Sequence, residues 1–237
     1  MNHHIKFFIL FFAIISACVS CNNSIKGEGE VGPHKRNLNS FNSIKIETNA
    51  DVYINVSAGS GCTIMAQDNI AEAIETKVVD NTLVIFSHRN FNVDEPVVIQ
   101  VNMSEVGSLD IAGAGNIFCK SPIASKNLTL DLSGAGSMEL TLAAINLDAK
   151  LSGAGNINLR GSAENATIKL SGAGKINADQ LVINDCKVSV SGVGNATVNV
   201  NEELDAKVTG AGNIYYSGKV TDVKTKISGI GKIEREK

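Results

Sequence analysis

From residue 107 onward, apolar and polar positions alternate in short runs, and each run ends in the same Gly-x-Gly step. The step begins at Gly113, Gly134, Gly153, Gly172, Gly192, Gly210 and Gly229, at intervals of 21, 19, 19, 20, 18 and 19 residues. Its second glycines are Gly115, Gly136, Gly155, Gly174, Gly194, Gly212 and Gly231. With the first glycine as zero, positions −6, −4 and −2 are Leu128, Leu130 and Leu132 in one copy and Leu147, Ala149 and Leu151 in the next. Later copies carry Ala166, Ile168 and Leu170, then Cys186, Val188 and Val190, then Leu204, Ala206 and Val208. The positions between them are polar, as in Thr129 and Asp131, Asp148 and Lys150, or Thr167 and Lys169. A period of two is that of a strand with one face buried.

The pattern resumes beyond each second glycine. Position +4 is Ile117, Met138, Ile157, Ile176, Ala196, Ile214 or Ile233, and position +3 is polar, most often Asn. A second short strand is therefore expected after each Gly-x-Gly, with the glycines at a bend, where glycine reaches unusual φ without a Cβ penalty and Asn tolerates the left-handed region. The middle residue, Ala in five copies and then Val193 and Ile230, is expected to face inward at a corner with little room.

Fixed-period self-similarity marks a repeat architecture. About seven units of roughly 19 residues, with strand periodicity and no helical period, suit a β-solenoid whose coils stack at the inter-strand spacing of about 4.8 Å. The alternative is a sandwich or prism of antiparallel hairpins, although Gly-Ala-Gly-Asn is not the Asn-Gly or Asp-Gly signature of a two-residue hairpin turn. Residues 36–105 are also strand-rich, with runs at 44–46, 52–56, 62–66, 82–86 and 97–101, a weak helical stretch at 69–76 and turn chemistry at Asp80-Asn81. They are expected to form an N-terminal β segment that caps the repeats, continuous with 106–237 as one domain, because terminal repeats are atypical where one face meets solvent.

The opening residues have a different character. Lys6 precedes the apolar run 7–15, and Ile15-Ser16-Ala17 leads into Cys18. Residues 1–17 read as a signal peptide, too short for a spanning helix of about 20 apolar residues. The order before Cys18 is similar to the lipobox of bacterial lipoproteins, which makes Cys18 the expected lipidation site, with Cys21 as the alternative. Residues 18–35, including Lys26-Gly27-Glu28-Gly29-Glu30, read as a flexible tether. The expected location is the cell envelope, as an outer-membrane lipoprotein facing periplasm or cell surface.

Several features together resemble the GIN-domain family of auto-transporter adhesin heads. They are Arg36-x-Leu38-x-x-Phe41-x-x-Ile44, the serial Ser-Gly-Ala-Gly motifs, and the closing run from Leu204 through Gly210-Ala211-Gly212-Asn213 to Gly218. The resemblance spans about residues 27–233 and implies an exported or lipid-anchored β protein. It brings no catalytic residues to carry over.

Charge and candidate chemistry narrow the function. Removing Lys6 with the signal leaves 20 basic and 24 acidic residues, near −4, with the basic residues scattered, so nucleic acid is not an expected partner. Histidines outside the signal are His34 and His88 alone, which does not supply a metal or general-base constellation. Cys62, Cys119 and Cys186 lack framework spacing and read as buried free thiols. Gly172-Ala173-Gly174-Lys175 fails as a phosphate loop, since Lys169 stands where the first glycine is needed and Ile176 replaces Ser/Thr. No catalytic residue, metal or cofactor is expected. The chain reads as a non-enzymatic structural or adhesion module held to the membrane by a lipid, with surface proteins or glycans as candidate partners and its oligomeric state open. The alternative is a glycan-binding or glycan-cleaving β-helix, in which Asp110 and Asp131 at position −3 of adjacent repeats form an acid/base pair, with Asp148 and Asp205 at −5.

Overall fold

The computed structural model describes residues 24–236. The expected signal peptide, residues 1–17, and both candidate lipidation cysteines, Cys18 and Cys21, lie outside the described residues. The repeats form a β-solenoid. Long strands at Ala114–Leu132, Ala135–Leu151, Ala154–Leu170, Ala173–Val190 and Val193–Val208 each run once around a coil. Every described strand pairing from residue 108 onward is parallel, which excludes the hairpin arrangement for the repeats.

Register follows the Gly-x-Gly step. Gly115 pairs with Gly136, Gly136 with Gly155, Gly155 with Gly174, Gly174 with Gly194, and Gly194 with Gly212. Inward side chains consequently stack in columns of like residues. Ile117, Met138, Ile157, Ile176, Ala196 and Ile214 form one such column, all nearly inaccessible. The −6, −4 and −2 positions form three more, and the buried apolar side chains of the described residues make a single cluster. Each fully buried Leu, Ile or Val contributes roughly 1.5–3 kcal/mol, so the columns supply the core without disulfides.

The unequal repeat lengths are absorbed on one side of the coil. Two extra residues lie between Cys119 and Ile123, where the next coil has only Thr141 between Leu140 and Leu142. One extra residue separates Asn177 from Gln180 relative to Asn158 and Arg160, and the shortening of the following coil falls between Ala178 and Asp185. The strand pairs flanking each Gly-x-Gly keep their register throughout.

The glycines are required by proximity. A Cβ on Gly134, Gly153 or Gly172 would lie 1.9–2.0 Å from the carbonyl oxygen of the glycine one coil earlier, and on Gly136, Gly155 or Gly174 the distance would be 1.8–1.9 Å. The middle residue differs from expectation: Ala114, Ala135, Ala154, Ala173 and Ala211 are exposed, and Val193 and Ile230 in that column are 63% and 84% exposed. Alternation explains this, because the two glycines turn their Cα hydrogens toward the neighbouring coil while the residue between them points to solvent. Gly161, at φ 111°, is a separate corner where a Cβ would meet the Leu142 carbonyl at 2.0 Å.

Residues 36–105 complete the first coil and close its end. Ser43–Glu47 pairs in parallel with Ser108–Ile111 on one side and with Thr82–Ser87 on the other. Asp51–Val56 pairs in parallel with Val98–Met103 and with residues 116–118. The sheet then ends in antiparallel strands: Ile74–Val79 hairpins onto Thr82–Ser87 through Asp80 and Asn81, both at positive φ, as a two-residue primed turn requires. Gly61–Ala66 runs antiparallel to Val98–Met103. Between these edges a helix, Asp68–Ala73, covers the end of the core with Ile70 and Ala71 buried. Among the described residues the opposite end has no such cover: all of Asp222–Ile227 is exposed, including Val223 and Ile227 in the inward columns.

The expected tether at 18–35 is corrected in its C-terminal part. Gly32–Arg36 is an edge strand antiparallel to Gly61–Ala66, and Ile25–Lys26 bridges Phe91–Asn92. This segment is tied down by polar contacts instead of apolar alternation: Arg36 donates to the Ala71 carbonyl at 2.7 Å, and His34 lies 3.1 Å from the Ala66 carbonyl and 3.5 Å from Asp68. Pro33, without an N–H, suits an edge position.

Close approach predicts a sharp contrast between neighbours. Gly155→Ala should lower the melting midpoint by roughly 5–10 °C, because a methyl group must enter space held by backbone, while Ala154→Val should stay within about 2 °C. Gly231→Ala, in the uncovered terminal coil, should cost less than Gly155→Ala. Equal melting of Gly155→Ala and the parent protein would contradict the close-approach account.

Candidate binding site

The outward side chains also form columns, and their chemistry differs from side to side. On the side preceding each Gly-x-Gly, Lys45, Asp110, Asp131 and Lys150 stand in successive coils. Lys150 Nζ lies 3.3 Å from Asp131 Oδ2. Burial, with the Asp131 charge beside it, holds the Asp110 carboxyl above its ordinary 3.8, while Lys45 pulls the other way. Asp131 Oδ1 is buried without a hydrogen-bond partner. The two carboxylates are thus brought together as the sequence suggested, with a lysine on either side of them in the column, and neither lines the concavities described next. Asp148 and Asp205 share a column three coils apart, with Thr167 and Lys187 between them, and form no pair.

At the next corner, asparagine side chains form a ladder. Asn146 donates to Asn127 Oδ1 at 2.8 Å and Asn165 donates to Asn146 Oδ1 at 3.2 Å. Asp185 and Glu203 continue the column, and Lys224 reaches Glu203 at 2.8 Å. A groove of about 540 Å³ runs along this corner, with Asp148, Lys187 and Asp205 on its rim.

The side following each Gly-x-Gly carries the aromatic chemistry. Phe118 is in register with Tyr53 and the two rings stack, centroids 4.9 Å apart and planes at 22°. The same column proceeds through Glu139, Asn158, Asn177 and Thr197 to Tyr215. Two shallow concavities, of about 440 and 500 Å³, share Asn158 and Asn177 and so join into one trough. Beside it, Asn116 donates to Asp51 at 2.7 Å, Ser137 donates to Asn116 at 2.7 Å and Asn213 donates to Asn195 at 3.0 Å. Tyr53 could not be picked out from the sequence. Its only signal is the outward position within Val52-Tyr53-Ile54, and its pairing spans 65 residues of chain.

With this geometry in place, comparison with known proteins is decisive for family. The family profile described as "Putative auto-transporter adhesin, head GIN domain" matches residues 40–220. The chain is a member of the GIN-domain family. A crystal structure of a "putative adhesin" from Bacteroides fragilis superposes on this GIN domain with a TM-score of 0.86 at 27% identity, covering 90% of this chain and 100% of that one. A "putative adhesin" from Parabacteroides merdae gives 0.70 at 22% identity, covering 90% and 99%. A "putative lipid binding protein" from Parabacteroides distasonis gives 0.67 at 19% identity, covering 90% and 100%; these last two likenesses show the fold. No curated protein matches the chain.

The remaining reactive groups of the GIN domain are dispersed. His34 and His88 sit at separate edges, His88 beside Glu75 at 3.2 Å. Cys62, Cys119 and Cys186 are free and buried, and burial pushes their thiols up to about 11, 11 and 12. Among the described residues no group of three or more His, Cys, Asp or Glu is placed to hold a metal, and no helix is long and apolar enough to cross a membrane.

The Asp110–Asp131 contact has a pH signature. A carboxyl held above its unfolded value binds its proton more tightly in the native state, so its ionisation costs stability; that cost is present above the folded pKa and fades as pH falls toward the unfolded value. Asp110→Asn should therefore raise the melting midpoint at pH 7 by roughly 1–3 °C, and the gain should vanish near pH 3. A gain that persists or grows at acid pH would show that Asp110 is not destabilised by its own charge.

Proposed function

We propose that this GIN-domain protein is an exported, lipid-anchored adhesion module of the cell envelope that works through its outer faces and without catalysis. Family membership supports the adhesive role. The observation that carries the reading is the arrangement of the outward columns: polar and aromatic side chains are spread at regular intervals along a stack, and the carboxylate pair, with a lysine on either side in its column, does not line a substrate-sized concavity. An extended, repetitive surface is suited to holding a partner at many weak points, as the concave surfaces of other repeat proteins are.

The anchoring part of the proposal rests on the apolar run 7–15 followed by Ile15-Ser16-Ala17-Cys18. With lipid on Cys18, the N-terminal end of the stack is tied to an envelope membrane and the faces project away from it. Cys21 serves if Cys18 does not.

One set of strains tests both halves. An alkyne fatty acid should label the wild type and not a Cys18→Ala, Cys21→Ala double mutant, and each single mutant assigns the anchor. Cells lacking the gene, or carrying the double mutant, should attach to neighbouring cells several-fold less than the wild type. An unlabelled wild type would remove the anchor, and unchanged attachment on deletion would remove the adhesive role.

A further inference from the structure

Tyr53 and Phe118 come from chain segments 65 residues apart, yet parallel pairing sets their rings face to face on the outside of the stack. An aromatic pair on a solvent face is unusual in a protein with so few aromatic residues, and Tyr53 is 43% exposed. The pair lines neither concavity; it stands at the head of the column that passes through Asn158 and Asn177 in the trough to Tyr215, five coil steps from Phe118, or about 24 Å at roughly 4.8 Å per step. Tyr215 carries Lys232 over one ring face at 5.3 Å. The lining between the aromatic ends is polar and of mixed charge, with Lys120, Arg160 and Lys175 offset by Glu139, Asp179 and Glu236.

We infer that this trough binds a linear oligosaccharide, with the Tyr53–Phe118 pair as its stacking platform. The chemistry selects this class. A pyranose ring offers one face of C–H bonds, which an exposed aromatic ring accepts, and an equatorial belt of hydroxyls that both donate and accept. An asparagine amide presents two donors and an acceptor, so Asn158 and Asn177 can meet such hydroxyls on either sense. A protein partner would call for a desolvated apolar centre with buried anchors, and a phosphorylated or nucleic-acid ligand for an uncompensated cluster of cations; the trough lacks such a centre, and its three cations are matched by three carboxylates. Its length and its one-step-per-coil repeat suit a chain of several sugars held at successive points. This inference deepens the adhesion reading by naming the partner class and the face that takes it.

The chain has three tyrosines, Tyr53 in the aromatic pair, Tyr215 in the trough lining and Tyr216 against the core, and no tryptophan, so a change in intrinsic emission can be traced by substituting them one at a time. The test uses the full chain, purified in detergent, titrated with hexasaccharides of β-linked glucose, xylose and N-acetylglucosamine and α-linked mannose, with hexa-alanine as a peptide control. Tyrosine emission and calorimetry are read together. At least one hexasaccharide should bind and change the emission. Tyr53→Ala should weaken it about tenfold, and Asn158→Ala less, with the melting midpoint of each within about 2 °C of wild type. Asn127→Ala, on the other corner, should bind as the wild type does. No binding by any sugar, binding untouched by Tyr53→Ala, or binding of the peptide alone would overturn the inference. Cell attachment separates the two proposals: attachment retained by a normally anchored Tyr53→Ala strain removes the trough and leaves the adhesion reading in place, whereas attachment retained on gene deletion removes the adhesion reading itself.

Discussion

Backbone against backbone at the glycine columns is the contact on which the rest of this molecule depends. A Cβ there would lie within about 2 Å of a carbonyl oxygen in the preceding coil, so only residues without one can occupy the site. That exclusion fixes register: a slip of one residue would place an exposed alanine where only glycine fits, and would turn every inward side chain to solvent. Length variation among the repeats is accordingly confined to the far side of the coil, between Cys119 and Ile123 in one case and Ala178 and Asp185 in another. The locked register then produces the columns, inward ones that make the core and outward ones that repeat one chemistry along a side.

The two ends follow from the same architecture. A stack of parallel strands leaves open edges and an open core at each end, and such edges invite further pairing. At the N-terminal end the chain answers with antiparallel strands and a one-turn-and-a-half helix that buries Ile70 and Ala71. At the other end the edge strand Asp222–Ile227 carries Lys224 and Lys226 on its outward positions, the kind of charge that discourages edge-to-edge association.

Much of this was legible in the sequence because a repeat averages out local noise. Seven phased Gly-x-Gly steps, with apolar −6, −4, −2 and +4 positions, specify coils with two buried strand faces, and the family resemblance rests on the same residues. What was not legible depends on pairings distant in sequence or on space. The alanine between the glycines was expected inside, since a small residue in a corner suggests crowding; the crowding belongs to the glycines, and the alanine faces water. Gly32–Arg36 was read as tether because its attachment is made by Arg36, His34 and backbone bonds, which leave no apolar periodicity. Asp110 and Asp131 were correctly placed as neighbours, yet Lys45 comes from a strand whose register the sequence does not show. Tyr53 joins Phe118 for the same reason.

The most direct test of the locked stack is a distance series along the exposed alanine column. Spin labels placed pairwise at Ala135 and Ala211, and at Ala114 and Ala211, lie four and five coil steps apart, while the buried native thiols stay unlabelled. Pulsed electron paramagnetic resonance should give separations near 19 and 24 Å, differing by one inter-strand step of about 4.8 Å. Separations that fail to increase with the number of coils between the labels would contradict the in-register stack.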